Sequence, residues 1–320
     1  MSFRAASSVM LRHRAAMIRS GAMMATAATL YAGYATKTNA IVTNDSVVQE
    51  KTGAQTRATA TATATAFPRY LTWVNVKLED VRQISHDVKM FRFALPADIA
   101  TTGIAPGQAI LTKTISSESS KSTFRPYTPL RANTEGYIEF AIKHYPGGRG
   151  STNFHALKIG DEVAMKGPLP GAPVGLEKVE HLVLLGGGAG ITPLHSVIYD
   201  ALENPKSASQ HVTLVYSNKT EDDILFKSEF TALQRQYPDR FRVVYTLTRT
   251  PPTSWTGFRG HIDEVMLKSV LTPAESTKVL VCGPPGFVMG LAGHKRGPFQ
   301  GKLGGLLRQM GFQESDVHKL

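Results

Sequence analysis

The chain has 320 residues, 42% of them hydrophobic, with 28 Gly, 18 Pro and a formal net charge of +11. That suits two soluble domains plus a tail and excludes a collagen-like or wholly disordered chain. One cysteine, Cys282, excludes an internal disulfide and any cysteine-ligated iron–sulfur or zinc cluster. HExxH and clustered His/carboxylate spacings are also absent, so no metal is expected and redox chemistry would need an organic cofactor. Basic residues form no dense stripe with interleaved aromatics, which argues against nucleic acid as a partner.

Residues 1–66 hold seven Lys/Arg against two acids, so almost half the net charge lies in this tail. From Met1 to Asn44 there is no acid, while Arg4, Arg12, Arg14, Arg19 and Lys37 are basic among many Ser and Ala. This is the composition of a mitochondrial presequence, with a plain disordered basic tail as the alternative. Ser20–Thr36 is uncharged; as a helix it would extend about 26 Å against a hydrocarbon core of roughly 30 Å. A short membrane anchor and a soluble presequence both fit it, and residues 1–36 are read as the targeting segment. Residues 37–69 read as a disordered linker. It ends near the alternating Ala/Thr run Ala58–Ala66, which offers little to bury. Ordered structure is expected from Phe67 or Tyr70.

Residues 70–170 show short strands separated by turn signals: Val74–Glu79, Val88–Leu95, Ala109–Ile115, Tyr137–Lys143 and Asp161–Lys166. That spacing predicts a small antiparallel β-barrel. A Pro/Gly-rich boundary follows, with residues 171–180 as inter-domain linker. Residues 181–320 change rhythm: continuous apolar strands at Leu182–Leu185, Val212–Tyr216, Arg242–Leu247 and Lys278–Cys282 alternate with helix-period segments at Pro193–Leu202, Phe226–Gln236 and His261–Leu271. This predicts an α/β domain with a parallel sheet, and an α+β two-domain chain as a whole.

Four segments carry candidate chemistry. Arg125-Pro126-Tyr127-Thr128-Pro129 offers a guanidinium fork for phosphate, a flat ring and a small hydroxyl on an extended segment; a plain edge strand with a turn fits those five residues equally. Gly147-Gly148-Arg149-Gly150-Ser151-Thr152 lets backbone N–H groups converge, with Ser151 or Thr152 able to cap a short helix facing an anion; a surface hairpin turn is the alternative. Gly186-Gly187-Gly188-Ala189-Gly190-Ile191-Thr192-Pro193 reads as strand, glycine turn and helix start, with Thr192 as N-cap and Pro193 as first helical residue. It does not satisfy GxGxxG, because Ile191 takes the last glycine position. Cys282-Gly283-Pro284-Pro285-Gly286 ends the last long parallel strand. In a doubly wound sheet that end adjoins the glycine turn, so Cys282 and Thr192 would face one crevice; alone, Cys282 reads as a buried small hydrophobe.

RPYTPL, GGRGS, GGGAGITP and CGPPG, in that order and over residues 70–320, resemble the ferredoxin-reductase superfamily and, more closely, the NADH–cytochrome b5 reductase family. The resemblance implies an FAD-binding barrel followed by an NAD(P)-binding domain. It also implies hydride transfer from NADH to flavin N5, then single-electron transfer to cytochrome b5 or a similar acidic haem protein. With the presequence, it points to a mitochondrial form, membrane-associated if Ser20–Thr36 is an anchor, and acting as a monomer. Motif by motif, the implied FAD contacts are Arg125 on a phosphate, Pro126 and Tyr127 along the flavin or ribityl chain, and Thr128 near N5. Ile142 would touch FAD through its backbone, and Lys143 would help place NADH. Gly148, Arg149, Gly150 and Ser151 match the pyrophosphate loop, and Thr192 would contact the isoalloxazine. Gly187, Gly188, Cys282, Gly283 and Pro284 would line the nicotinamide side. Thr128, Thr192 and Cys282 are the candidate catalytic residues.

Three departures from that family stand out. Ala189 replaces a common Thr. Thr248-Arg249 stands where an acid commonly follows Leu247, which puts discrimination against NADPH in doubt. The chain finishes His318-Lys319-Leu320 rather than in Phe. Alternatives are a reductase of the same fold serving ferredoxin, a ferric complex or a quinone, and a non-catalytic flavin- or nucleotide-binding sensor.

Overall fold

The computed structural model describes residues 65–67, 72–116, 120–169, 176, 179–207, 210–271, 276–297 and 299–320. The targeting segment, with Ser20–Thr36, lies outside the described residues, as does most of each linker. Among the described residues no helix is long and apolar enough to cross a membrane.

The first half is an antiparallel six-stranded sheet of β1 (Val74–Ser85), β2 (Val88–Ala94), β3 (Ile110–Ile115), β4 (Ser122–Tyr127), β5 (Tyr137–Lys143) and β6 (Glu162–Lys166), in the order β4-β3-β6-β1-β2-β5. Alternating residues point inward to a core of Phe91, Phe93, Ile110, Ile138, Phe140 and Met165. The sheet curls until its two edges meet through side chains. Tyr127 of edge strand β4 packs edge-on against Phe154 at 5.0 Å and Phe140 of edge strand β5 at 6.4 Å. Phe154 comes from helix α1 (Arg149–His155), which plugs that gap. Pro126 is tolerated because β4 is an edge, where its missing N–H leaves no ladder bond unmade.

Strand β1 runs six residues past its expected end. Register shifts between Leu78 and Asp80 and between Gln83 and Ser85 break the inside–outside alternation, which is why the pattern reads as stopping at Glu79. The end of the Ala/Thr run also differs from expectation. The Ala66 N–H donates to Thr101 O at 2.7 Å, the Phe67 N–H to Thr102 O at 3.1 Å, and both side chains are buried in the barrel core.

The second half is a parallel sheet of β7 (His181–Gly187), β8 (His211–Asn218), β9 (Phe241–Leu247), β10 (Phe258–Arg259), β11 (Thr277–Cys282) and β12 (Val317–Lys319), in the order β10-β9-β8-β7-β11-β12. Helices α2 (Ile191–Glu203) and α3 (Lys227–Gln236) cover one face. On the other lie α4 (Glu264–Val270), α5 (Pro285–Ala292) and α6 (Gly305–Gln309). The chain steps outward from β7 to β10 and then returns to put β11 on the other side of β7. The carboxyl ends of β7 and β11 therefore form the switch-point crevice of a doubly wound sheet.

The two halves share a seam. Val88, Leu130 and Ala141 of the barrel bury in the same core as α2, α3 and the sheet, with Ile84 and Met90 packed alongside. Polar ties reinforce it: the Gly107 N–H donates to Ser196 Oγ at 2.9 Å, and Arg131 pairs with Glu203 at 2.6 Å.

Candidate active site

Two clusters assemble from the four motifs. In the barrel, β3 and β4 set Thr112 opposite Arg125 and Ile110 opposite Tyr127. The Thr112 hydroxyl donates to the Arg125 carbonyl at 3.0 Å, and the Arg125 guanidinium donates to Phe124 O at 2.8 Å. The stem of Arg125 lies on the first turn of α1, where a β-carbon at Gly150 would stand 2.5 Å from its Cγ. Only glycine lets the guanidinium and the helix N-terminus share one side, so the RPYTP and GGRGS motifs are one site. Thr128 is buried just beyond β4. Burial pushes the Tyr127 hydroxyl up to about 12, keeping it a neutral hydrogen-bonding group.

The expected cap differs. Helix α1 begins at Arg149 with Gly148 as N-cap and no side-chain cap. Ser151 sits inside the first turn, buried. Its hydroxyl accepts from the Tyr145 N–H at 3.1 Å and donates to Gly148 O at 3.0 Å, tying the glycine loop to the helix. At the far end of α1, His155 Nε2–H donates to Ile142 O at 2.8 Å, which anchors the Ile142-Lys143 backbone to the same helix.

The second cluster is the switch-point crevice. A β-carbon on Gly190 would stand 2.3 Å from the Cys282 carbonyl oxygen, and one on Gly187 would stand 3.0 Å from the Phe287 ring. One on Gly283 would meet that ring at 2.6 Å and the Gly187 α-carbon at 3.2 Å. The turn and the end of β11 thus pack backbone to backbone. Gly188 has φ +52 and open space around its missing β-carbon, and its carbonyl accepts from the buried Tyr216 hydroxyl at 3.0 Å. Gly286 is open as well, at the start of α5, and Pro284 is exposed beside it.

Thr192 is not the N-cap. A 3-10 turn at Gly188–Gly190 runs straight into α2, so the helix starts at Ile191, and the Thr192 hydroxyl donates to Ala189 O at 3.2 Å. Pro193 is the third helical residue, where its absent N–H is still one of the unpaired four. Cys282 is half-buried, and burial, against the opposing pull of Lys295 and the Gly283 N–H, pushes its thiol up to about 11. The thiol is therefore neutral and polarizable at neutral pH, not a thiolate nucleophile.

Lys143 reaches from the barrel half to the second half. Its ammonium pairs with Asp87 of the β1–β2 turn and lies 3.8 Å from Asp223 of the second domain. Sequence reasoning missed both partners. Asp87 had no signal; Asp223 had one, the capping box in which it holds the Thr220 N–H and hydroxyl. His86 joins the two acids, but the Lys143 cation already pairs with one of them and faces the other.

The residues fit both groups: a glycine-floored arginine site in the barrel suits a flavin nucleotide, and the open glycine crevice suits a pyridine nucleotide. Fold and clusters together define a two-domain flavin- and nicotinamide-dependent oxidoreductase. Residues 75–172 match the oxidoreductase FAD-binding domain family and residues 184–292 the oxidoreductase NAD-binding domain family. NADH-cytochrome b5 reductase 2 of Coccidioides immitis is 39% identical over 251 residues, 77% of each chain. The protein of that name from Chaetomium globosum is 41% identical, over 77% of this chain and 72% of that one. Among solved structures, the cytochrome b5 reductase domain of Ulva prolifera nitrate reductase superposes with a TM-score of 0.67 at 30% identity, covering 80% of this chain and all of that one. The chain belongs to the NADH–cytochrome b5 reductase family, and its cofactors are FAD and NADH.

Proposed function

We propose that this chain takes hydride from NADH and delivers the electrons singly to cytochrome b5, as a monomer in the mitochondrion, membrane-associated through its N-terminal segment. The carrying observation is that the glycine turn of Gly187–Gly190 and the end of β11 close on each other at the switch point. The names of the relatives support the acceptor, and the acid-free N-terminal composition supports the location. FAD, when bound, supplies the conversion of a two-electron donor into one-electron steps.

The chain's own residues bind, orient and shield. Arg125 and the first turn of α1 would take the FAD phosphates, with Gly148, Arg149, Gly150 and Ser151 as the floor. Pro126, Tyr127, Thr128 and the Ile142 backbone would hold the flavin from the barrel, and Thr192 would meet it from α2. Gly187, Gly188, Gly283 and Pro284 would leave room for the nicotinamide, with the neutral thiol of Cys282 beside it. Lys143, held between Asp87 and Asp223, would help place NADH. No general base is required, because the transferred particle is a hydride.

Stopped-flow absorbance on the full-length protein tests this reading. NADH should bleach the visible flavin band, and ferric cytochrome b5 should then be reduced rapidly. A flavin reduced by NADH that leaves cytochrome b5 oxidised would move the chain to another acceptor, and no bound flavin would overturn the barrel assignments.

NADPH use is part of the proposal. The Thr248 N–H and hydroxyl donate to Asn218 O at 2.9 and 3.2 Å, and the Arg249 N–H donates to Lys219 O at 3.0 Å. Lys219 and Arg249 therefore lie side by side where β8 and β9 end, with no acid following Leu247 to repel a 2′-phosphate. One lost repulsion is worth about 1–2 kcal/mol at a partly exposed site. A preference for NADH of roughly a thousandfold or more in kcat/KM would sink this idea.

A further inference from the structure

His195 is 3% exposed, and both nitrogens of its ring face acceptors. Nδ1 lies 2.7 Å from the Leu130 carbonyl oxygen, which belongs to the barrel half. A carbonyl only accepts, so Nδ1 carries a proton. Nε2 lies 2.9 Å from Oε1 of Glu229 on α3, and the Tyr199 hydroxyl donates to that same oxygen. Burial alone would raise the Glu229 carboxyl, but the bond and charge of His195, with Tyr199 and Arg131, outweigh it and hold the group below its ordinary value. Glu229 is therefore a carboxylate that faces Nε2. One ring thus bridges an acceptor in each half of the molecule.

The position of this ring matters as much as its bonds. Leu130 comes two residues after Thr128, and its N–H is fixed by the Glu139 carbonyl at 2.9 Å. His195 comes one helical turn after Thr192. The Nδ1 bond thus ties the end of the flavin segment in one half to the helix bearing Thr192 in the other. The rings of Phe226, Tyr199 and Phe230, with centroids 4.7, 4.8 and 6.0 Å from that of His195, exclude water from the bond. The charged and titratable groups facing it are Glu229 from α3, Tyr199 and Glu203 from α2, and Arg131 from the segment after Leu130. Across the groove stands Glu139 of β5, itself held by Arg82 and Arg92.

We propose that His195, bridging Leu130 and Glu229, is a positioning residue for hydride transfer, setting the spacing between the Thr128 segment and the Thr192 helix. This rests on the reading of those two threonines as flavin neighbours. Removing the ring would release both acceptors at once, so hydride transfer should slow with FAD still bound.

The test follows flavin bleaching at saturating NADH in the full-length FAD-loaded protein, with the Kd for NADH measured alongside. His195→Leu keeps the bulk and loses both bonds; it should bleach about tenfold more slowly, because small misplacements in a near-attack geometry are costly, with flavin content and Kd for NADH unchanged. His195→Gln, whose amide can still donate to the Leu130 carbonyl, should recover part of that rate. A His195→Leu protein that bleaches at the wild-type rate, or a His195→Gln protein no faster than His195→Leu, would overturn the proposal. If NADH fails to bleach the bound flavin of the wild-type protein, the functional reading itself fails; a slow variant beside a bleaching wild type separates the two.

Discussion

The carbonyl oxygen of Cys282 presses against the α-carbon of Gly190, so that any β-carbon there would stand 2.3 Å away. Gly190 has φ −64, a conformation open to every residue, so glycine is required there for space alone. Gly190→Ala must push the turn away from β11, at a cost of about 2 kcal/mol or more. We expect a lower Tm and NADH-driven bleaching slowed about tenfold or more, with FAD content unchanged. Gly188→Ala is the contrast: its φ of +52 is unfavourable for a side chain but the space is open. It should cost only about 1 kcal/mol of stability and leave the turn seated on β11, with the effect on turnover confined to a raised KM for NADH, whose space the new methyl group enters. Equal effects from the two variants would refute the packing argument.

Arg125 and Gly150 should behave as one unit in FAD binding. Arg125→Lys keeps the charge but loses the planar fork, and should weaken FAD about 10- to 100-fold. Gly150→Ala should weaken it as well, because a β-carbon there, 2.5 Å from the Arg125 Cγ, would displace the arginine stem. Fluorescence of released flavin on dilution measures both. An Arg125→Lys protein with undiminished affinity would show that a single point charge suffices.

Legibility followed the period of each pattern. Tyr137–Lys143 alternated cleanly and is a strand as read; the parallel strands stood out because both faces are covered, leaving unbroken apolar runs. Bulges hid the second half of β1, and β12 was too short to show any period. Helix α4 starts three residues later than the pattern suggested, at the Asp263 cap whose side chain accepts from the Met266 N–H at 2.8 Å. In the site, glycine spacing was readable, whereas the partners of Lys143 and His195 arrive from residues 34 to 80 positions away and leave no local trace.

His318 should govern part of the acid stability. Burial, with Lys295 and Lys278 adding, pushes it down to about 4, and its Nε2 accepts from the Gln300 amide at 3.1 Å. The unfolded ring titrates near ~6.5, so the unfolded chain takes up a proton that the folded one refuses. The contribution is intact above about 6.5 and is lost as pH falls from there through about 4. Partial exposure discounts it to about 1–2 kcal/mol. Urea unfolding at about pH 7 and about pH 4.5 should show His318→Gln losing less stability on acidification than wild type. An unchanged pH dependence would count against it.

Lys319 is buried at 2% exposure, and its ammonium donates to the carbonyls of Ala292, His294, Gly301 and Lys302 at 3.1–3.4 Å. It fastens the segment after α5 to the terminal strand. Lys319→Met would leave those carbonyls without their donor and should cost about 2–4 kcal/mol, read as a fall in Tm. A Tm within about a degree of wild type would mean that solvent replaces the ammonium freely.

The seam has a consequence for how this protein can be taken apart. Val88, Leu130 and Ala141 belong to the barrel by chain position and to the nucleotide domain by packing. A cut at the boundary between the halves would strip an oily face from each, so the two should melt in one transition and neither should stay dispersed alone. A chimaera joining this barrel to a relative's nucleotide domain must carry the seam residues across with the domain they pack against. The unit that can be exchanged is larger than the unit that binds either cofactor.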